Sequence, residues 1–158
     1  MAEILLSSEA FVKSVTSVSD NLSGKYILPS LREAQEIGLK GILGDNLLTK
    51  LKTLVKSAQI EDSINVHYKE LIDRCQYYLA YVTIVEVTNK TTFKVGNFGI
   101  SKTTDENMQV ATQDEVAKMQ YYYQTKADVC CYDLQSWLIE NRTSFPELSE
   151  HDCRRISS

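Results

Sequence analysis

The stretch from Thr112 to Trp137 constrains this chain more than any other. Thr112-x-x-Glu115 is a capping box, in which the threonine hydroxyl and the glutamate carboxylate satisfy orphan N–H groups of a helix start reciprocally. Val116, Met119, Tyr123, Ala127, Cys130, Leu134 and Trp137 then recur at spacings of 3, 4, 4, 3, 4 and 3. That spacing places them on one face of a helix. The helix is expected to stop before Pro146, because a proline disfavours helical geometry at the preceding Phe145. At ~1.5 Å per residue it spans about 45 Å. A helix of that length with one apolar stripe needs other helices to cover the stripe, so the expectation is a helical bundle.

Three further segments supply the partners. YILPSLREAQEIGLKGIL places Ile27, Leu31, Ala34 and Gly38 on one stripe with Leu28, Leu39 and Ile42 beside it, its start fixed or bent by Pro29 and its end closed by Gly41 and Gly44. Asp45 or Asn46 then caps a second helix, in which Leu47, Leu48, Leu51, Leu54, Val55 and Ala58 form a core-facing stripe that ends near Ser57. A third helix runs from Asn65 to about Asn89, with Tyr68, Leu71, Ile72, Cys75, Leu79 and Val82 on one face. Its end is less firmly marked, since YVTIVEVT is rich in β-branched residues and has the composition to fray or become a strand. Residues 1–24 have weak periodicity and read as an N-terminal arm, with one short helix starting at Ser8-Glu9-Ala10-Phe11-Val12.

Between the third and fourth helices lies a glycine-dotted, polar stretch. Residues 91–102 form two short runs around Gly96-Asn97, a pair suited to a two-residue hairpin turn. In that register Val95 faces Phe98 and Phe93 faces Ile100, so four apolar side chains share one side of the ribbon. A competing register turns at Asp105-Glu106-Asn107. An isolated hairpin is marginal in water, so its apolar side must pack on its own helices or on a neighbouring subunit, while Lys102 to Asn107 stay solvated. The expected fold is therefore mainly α: four-helix bundle-like, with a β-hairpin or extended loop at 91–111.

The 158 residues suffice for one domain. With 43% hydrophobic and 24% charged residues the composition is that of a globular protein, and no apolar run approaches the ~20 residues needed to span a bilayer. Glu3 stands where a signal peptide carries positive charge, so a cytosolic chain with its four cysteines reduced is expected. A net charge of −4 and no basic run longer than Arg154-Arg155 argue against a tight grip on phosphate backbones.

Catalytic and metal signatures are weak. His67 and His151 have no sequence-near partner of the kind a zinc protease or a nucleophilic triad needs, and His151-x-Cys153 with Cys130 or Cys131 is a loose ligand set. Asp73, Asp128 and Asp133 fall at solvent-facing helical positions, and Gly41 and Gly44 lack the lysine and hydroxyl of a phosphate loop. No enzyme, metal or cofactor is expected. Tyr121-Tyr122-Tyr123, with Tyr77, Tyr78 and Tyr81, resemble a stacking platform, but consecutive helical positions point in three directions. Such aromatic excess fits a subunit interface better than nucleic-acid stacking on an acidic chain.

Taken in order, YILPSLREAQEIGLKGILGDNLLTKL, ELIDRCQYYLAYVTIVEV, FGISKTTDENMQVATQDEV and ENRTSFPEL resemble a family of small proteins from tailed phages and prophages of gut bacteria, including the crAss-like phages. These are head–tail connector proteins (head completion, ring or adaptor). The resemblance covers about residues 25–148 and consists of ordered phrases, not of a catalytic signature. It implies a virion protein at the head–tail junction, made in the host cytoplasm. Such a protein forms a homo-oligomeric ring, usually of twelve subunits, binds the portal and other tail or ring proteins, and lets DNA pass without sequence-specific binding. No membrane is involved.

On this reading 25–146 is the connector domain. Phe93, Val95, Phe98, Ile100, Lys102, Asp105 and Glu106 of the hairpin-loop lie between subunits or towards the channel. Residues 147–158 read as a C-terminal tail, and Phe145, Leu148, Arg154 and Arg155 are candidates for docking on the portal or a ring. Two other classes stay open: a monomeric helical adaptor or regulatory protein that binds a protein partner through its tyrosine-rich face, and a helical enzyme with a dispersed site.

Overall fold

The computed structural model describes residues 3–16, 24–98 and 113–157. All regular structure among them is helical: α1 (Glu9–Thr16), α2 (Gly24–Glu33), a π-helical segment (Ala34–Leu39), α3 (Lys40–Leu43), α4 (Asp45–Lys56), α5 (Val66–Phe98), α6 (Gln113–Glu140) and α7 (Glu150–Ser157), with short 3-10 turns at Gln59–Glu61, Ser63–Asn65 and Arg142–Ser144. The all-α bundle expected from the apolar stripes is what forms. Leu47, Leu48 and Leu51 of α4 join Leu71, Ile72, Cys75 and Leu79 of α5 and Leu134 and Leu138 of α6 in one buried cluster, and Leu54 of α4 is buried as well.

The helix α5 is the axis of the molecule. Its 33 residues extend about 50 Å; α6 returns beside it, with Tyr81 stacked on Tyr123 and Gln120 bonded to Asn89, while α1 and α2 pack on other sides. Because it is enclosed, its middle is buried on several sides: Leu79, Ala80, Thr83, Ile84, Val85, Val87 and Thr88 are all buried. The β-branched run that threatened to fray is thus the most enclosed part of the helix. Packing on several sides outweighs the small helix penalty of each β-branched residue, and the Thr88 hydroxyl is satisfied by the Ile84 carbonyl at 2.8 Å.

The expected hairpin is corrected by the same helix. Residues 91–98, which were to form its first strand and its Gly96-Asn97 turn, continue α5 to Phe98. Each residue added to an existing helix gains a backbone hydrogen bond for one residue fixed, whereas a lone two-stranded ribbon lacks a sheet to complete it. Phe93, Val95 and Phe98 therefore sit on helical backbone. Ile100, Lys102, Asp105, Glu106 and the alternative turn lie outside the described residues.

Both chain ends also depart from expectation. The N-terminal arm is, over residues 3–16, part of the fold. Leu6 and Val12 are buried, and α1 starts where the Phe11 amide bonds the Ser8 hydroxyl at 3.1 Å. The C-terminal tail forms α7, opened by a reciprocal cap: the Asp152 amide donates to Ser149 Oγ at 3.0 Å, and the Ser149 amide donates to Asp152 Oδ2 at 3.1 Å. Ile156 is then buried in the main core.

Candidate functional site

The residues expected to dock on a partner are for the most part used inside the chain. Phe145 is 1% exposed; Tyr68 and Trp137 pack against its ring with centroids at 5.5 and 5.7 Å. Leu148 packs against the same cluster. Arg155 donates to the Ile42 carbonyl at 3.3 Å and pairs with Asp152 at 3.4 Å, which fixes α7 against the end of α3. Of the four docking candidates Arg154 is the most exposed, in a loose 3.8 Å pair with Glu150. Apolar anchors next to a chain end look alike in sequence whether they serve the chain itself or a partner, and here the core takes them.

Gly44 shows how closely this corner fits. It adopts a φ of +82° between α3 and α4, where glycine is unstrained, and a Cβ there would approach the Asp152 carboxylate to 3.0 Å. The backbone and side-chain bonds from Ser149 hold the Asp152 carboxyl below its ordinary range. On the other side of the bundle, Gln35 was not singled out by sequence. The π-helical turn directs its side chain inward beside Ala34. Its Oε1 accepts from the Leu6 amide at 2.8 Å and its Nε2 donates to the Ile4 carbonyl at 2.9 Å, while Gln76 Nε2 donates to the Leu6 carbonyl at 3.0 Å. Two glutamines thus hold the N-terminal segment as a strand partner would.

Among the described residues no group of three or more His, Cys, Asp or Glu is placed to hold a metal ion, and His67 and His151 are both exposed and far apart in the sequence. Burial pushes the thiols of Cys130 and Cys131 above their ordinary value, with the nearby carboxylates of Asp133 and Asp128 adding to it, and burial raises Cys75 further still. None of them is an activated nucleophile. Among the described residues no helix is long and apolar enough to cross a membrane.

What the structure does present is the outward face of α6. The tyrosine triplet splits as its helical positions require. Tyr123 turns inward, its hydroxyl bonded to the Thr16 carbonyl, whereas Tyr121 and Tyr122 are 76% and 55% exposed. Further along, Val129 and Tyr132 are 55% and 71% exposed. Met119, expected on the core stripe, is 43% exposed; the buried face is carried by Ala127, Leu134 and Leu138. Lys118, Tyr121, Tyr122 and Lys126 line an open hollow of about 770 Å³, with the Lys126 ammonium 4.9 Å from the Tyr122 ring centroid and 5.8 Å from that of Tyr81. Tyr78, by contrast, is buried. Burial, with Cys131, Cys75 and Asp128 adding to it, pushes its hydroxyl up to about 12, and that hydroxyl sits so close to Gly38 that a Cβ would come within 2.6 Å of it.

The signal for the exposed stripe was present in sequence. Lys118, Tyr122, Thr125, Val129, Tyr132, Ser136 and Ile139 repeat the 3-and-4 spacing of the core stripe, displaced to the opposite side.

No curated protein and no solved structure is similar enough to match the chain. A family model matches residues 39–158, from the end of the π-helical segment through α7, and the chain accordingly belongs to the family of unknown function DUF6712.

Proposed function

We propose that the protein is a non-catalytic structural subunit of a phage head–tail junction, a connector that assembles as a ring on the portal and lines the passage for DNA. The observation that supports this best is the outward face of α6. It is a tyrosine-rich surface on a rigid helix whose opposite side is locked into the core, which is the composition and setting of a protein–protein contact and not of a substrate cleft. The ordered phrases shared with connector proteins add the kind of assembly.

In this reading the connection between α5 and α6, residues 99–112 with Ile100, Lys102, Asp105 and Glu106, takes the inter-subunit or channel-facing role first given to a hairpin. The portal-facing contact falls to exposed groups such as Arg154, because Phe145 is occupied. The acidic balance of −4 suits a passage through which DNA slides without being held.

The test is to mix the purified chain with its cognate phage portal protein and image the product. A ring of subunits on the portal is expected. A portal left bare at saturating subunit would overturn the connector reading in favour of an adaptor or regulator that binds another protein through the same tyrosine face.

A further inference from the structure

We propose that the outward face of α6 is self-complementary, and that two copies of the chain pair through it antiparallel, about a two-fold axis at Val129. The pairing is independent of the connector reading, since it concerns the free subunit and a symmetric contact that by itself closes at two copies.

Three observations carry it. The first is the stripe itself. At 100° per residue, Tyr121, Thr125, Val129, Tyr132 and Ser136 lie opposite the buried Ala127, Leu134 and Leu138, and no charge interrupts the line between Lys118 and Glu140. The second is charge order. The exposed Lys118 and the half-buried Lys126 stand along the first half of the stripe, the exposed Asp133 and Glu140 along the second. Lys126, Asp133 and Glu140 have no opposite charge three or four residues away, so they do not pair along their own helix. The charges of α5 do, in Lys69–Asp73 and Glu70–Arg74.

Turning a second copy end for end about Val129 brings Lys126 beside Asp133 of that copy and Lys118 beside Glu140 of it, each pair occurring twice by symmetry. Lys126 and Asp133 project from the same edge of the helix, and an antiparallel pairing sets like edges together. The third is area. Three tyrosines and one valine exposed to this extent offer on the order of 400–500 Å² per copy, or roughly 1,000 Å² in the pair, which is the lower bound for a specific contact. The pair is therefore weak and reversible.

One group opposes it. Asp128 lies at the other edge close to the axis, held by Gln124 at 2.8 Å, and there it meets its own symmetry mate. Its removal should strengthen the contact.

Sedimentation velocity of the full chain over a micromolar to sub-millimolar range, in low and moderate salt, tests this. A monomer–dimer equilibrium that salt weakens is expected. Tyr132→Glu should abolish it, Lys126→Glu should weaken it roughly tenfold through its two symmetric pairs, and Asp128→Asn should tighten it several-fold. The decisive variant combines Lys126→Glu with Asp133→Lys, which restores dimerisation to within roughly threefold of the parent. Asp128, Tyr132 and Asp133 are exposed and Lys126 is half-buried beside the Tyr122 and Tyr81 rings, and circular dichroism checks that each variant stays folded. A monomer at every concentration, a dimer indifferent to Lys126→Glu, or a charge swap that fails to restore pairing would overturn the proposal. Ring formation on the portal is a separate readout that none of these outcomes decides.

Discussion

Replacing Gln35 with alanine probes the least obvious element of the fold, the side-chain clamp on the N-terminal segment. Gln35 is fully buried, and it satisfies the buried Leu6 amide and the half-buried Ile4 carbonyl. Leaving a buried donor without a partner costs ~1–3 kcal/mol, and the carbonyl, which retains access to water, about 1 more. The sum is ~2–4 kcal/mol. It has a ceiling, because residues 3–7 can detach locally when holding them becomes more costly than exposing Leu6, worth about 2 kcal/mol of burial.

Urea denaturation should therefore show a loss of ~2–4 kcal/mol, and hydrogen exchange at the Leu6 amide should accelerate more than at amides of α5. Gln35→Leu, which fills the space without bonding, should recover little of the loss. Gln35→Glu should recover more as pH falls, when a protonated carboxyl can again donate to the Ile4 carbonyl. A Gln35→Ala variant within ~0.5 kcal/mol of the parent, the range of surface substitutions, with an unchanged Leu6 amide, would refute the clamp.

Phe145→Ala, at a residue expected in sequence to dock on a partner, should cost ~3–5 kcal/mol in the same assay, because the ring is buried between Tyr68 and Trp137. Gly44→Ala should destabilise by about 1–2 kcal/mol, through its positive φ and the Asp152 carboxylate, whereas Gly41→Ala, with nothing within 4 Å of the added Cβ, should be neutral or stabilising by up to about 1 kcal/mol. The capped Asp152 titrates lower in the folded chain, so its stabilisation is complete above the unfolded carboxyl range and is lost as pH falls through the folded value; Asp152→Asn should flatten the acid limb of a stability–pH curve. Burial, with the bond to Glu147 adding to it, pushes Tyr68 up to about 12, so with Tyr78 it should ionise late in an alkaline absorbance titration, and stability carried by the neutral phenols is lost as pH rises from about 10 towards 12.

Sequence alone determined the helices that carry a stripe. Leu47, Leu51, Leu71, Leu79 and Leu134 lie in the core because periodic apolar residues on a helix have no lower-energy place to go, and that signal is local. It also contained the exposed stripe of α6, although spacing cannot distinguish a face that meets the core from one that meets solvent. Tertiary structure decided the rest. The run from Tyr81 to Thr88 is helical because α1, α2 and α6 enclose it, an environment that no window of sequence contains. Gln35 became a structural residue only because the π-helical turn aimed its amide at a segment about 30 positions earlier in the chain. Phe145 and Ile156 became core because α7 folds back onto Gly44 and Ile42 through Asp152 and Arg155. Local propensity specifies which residues seek burial, whereas the partner that buries them is fixed by contacts between residues remote in sequence, and those exist only once the chain has folded.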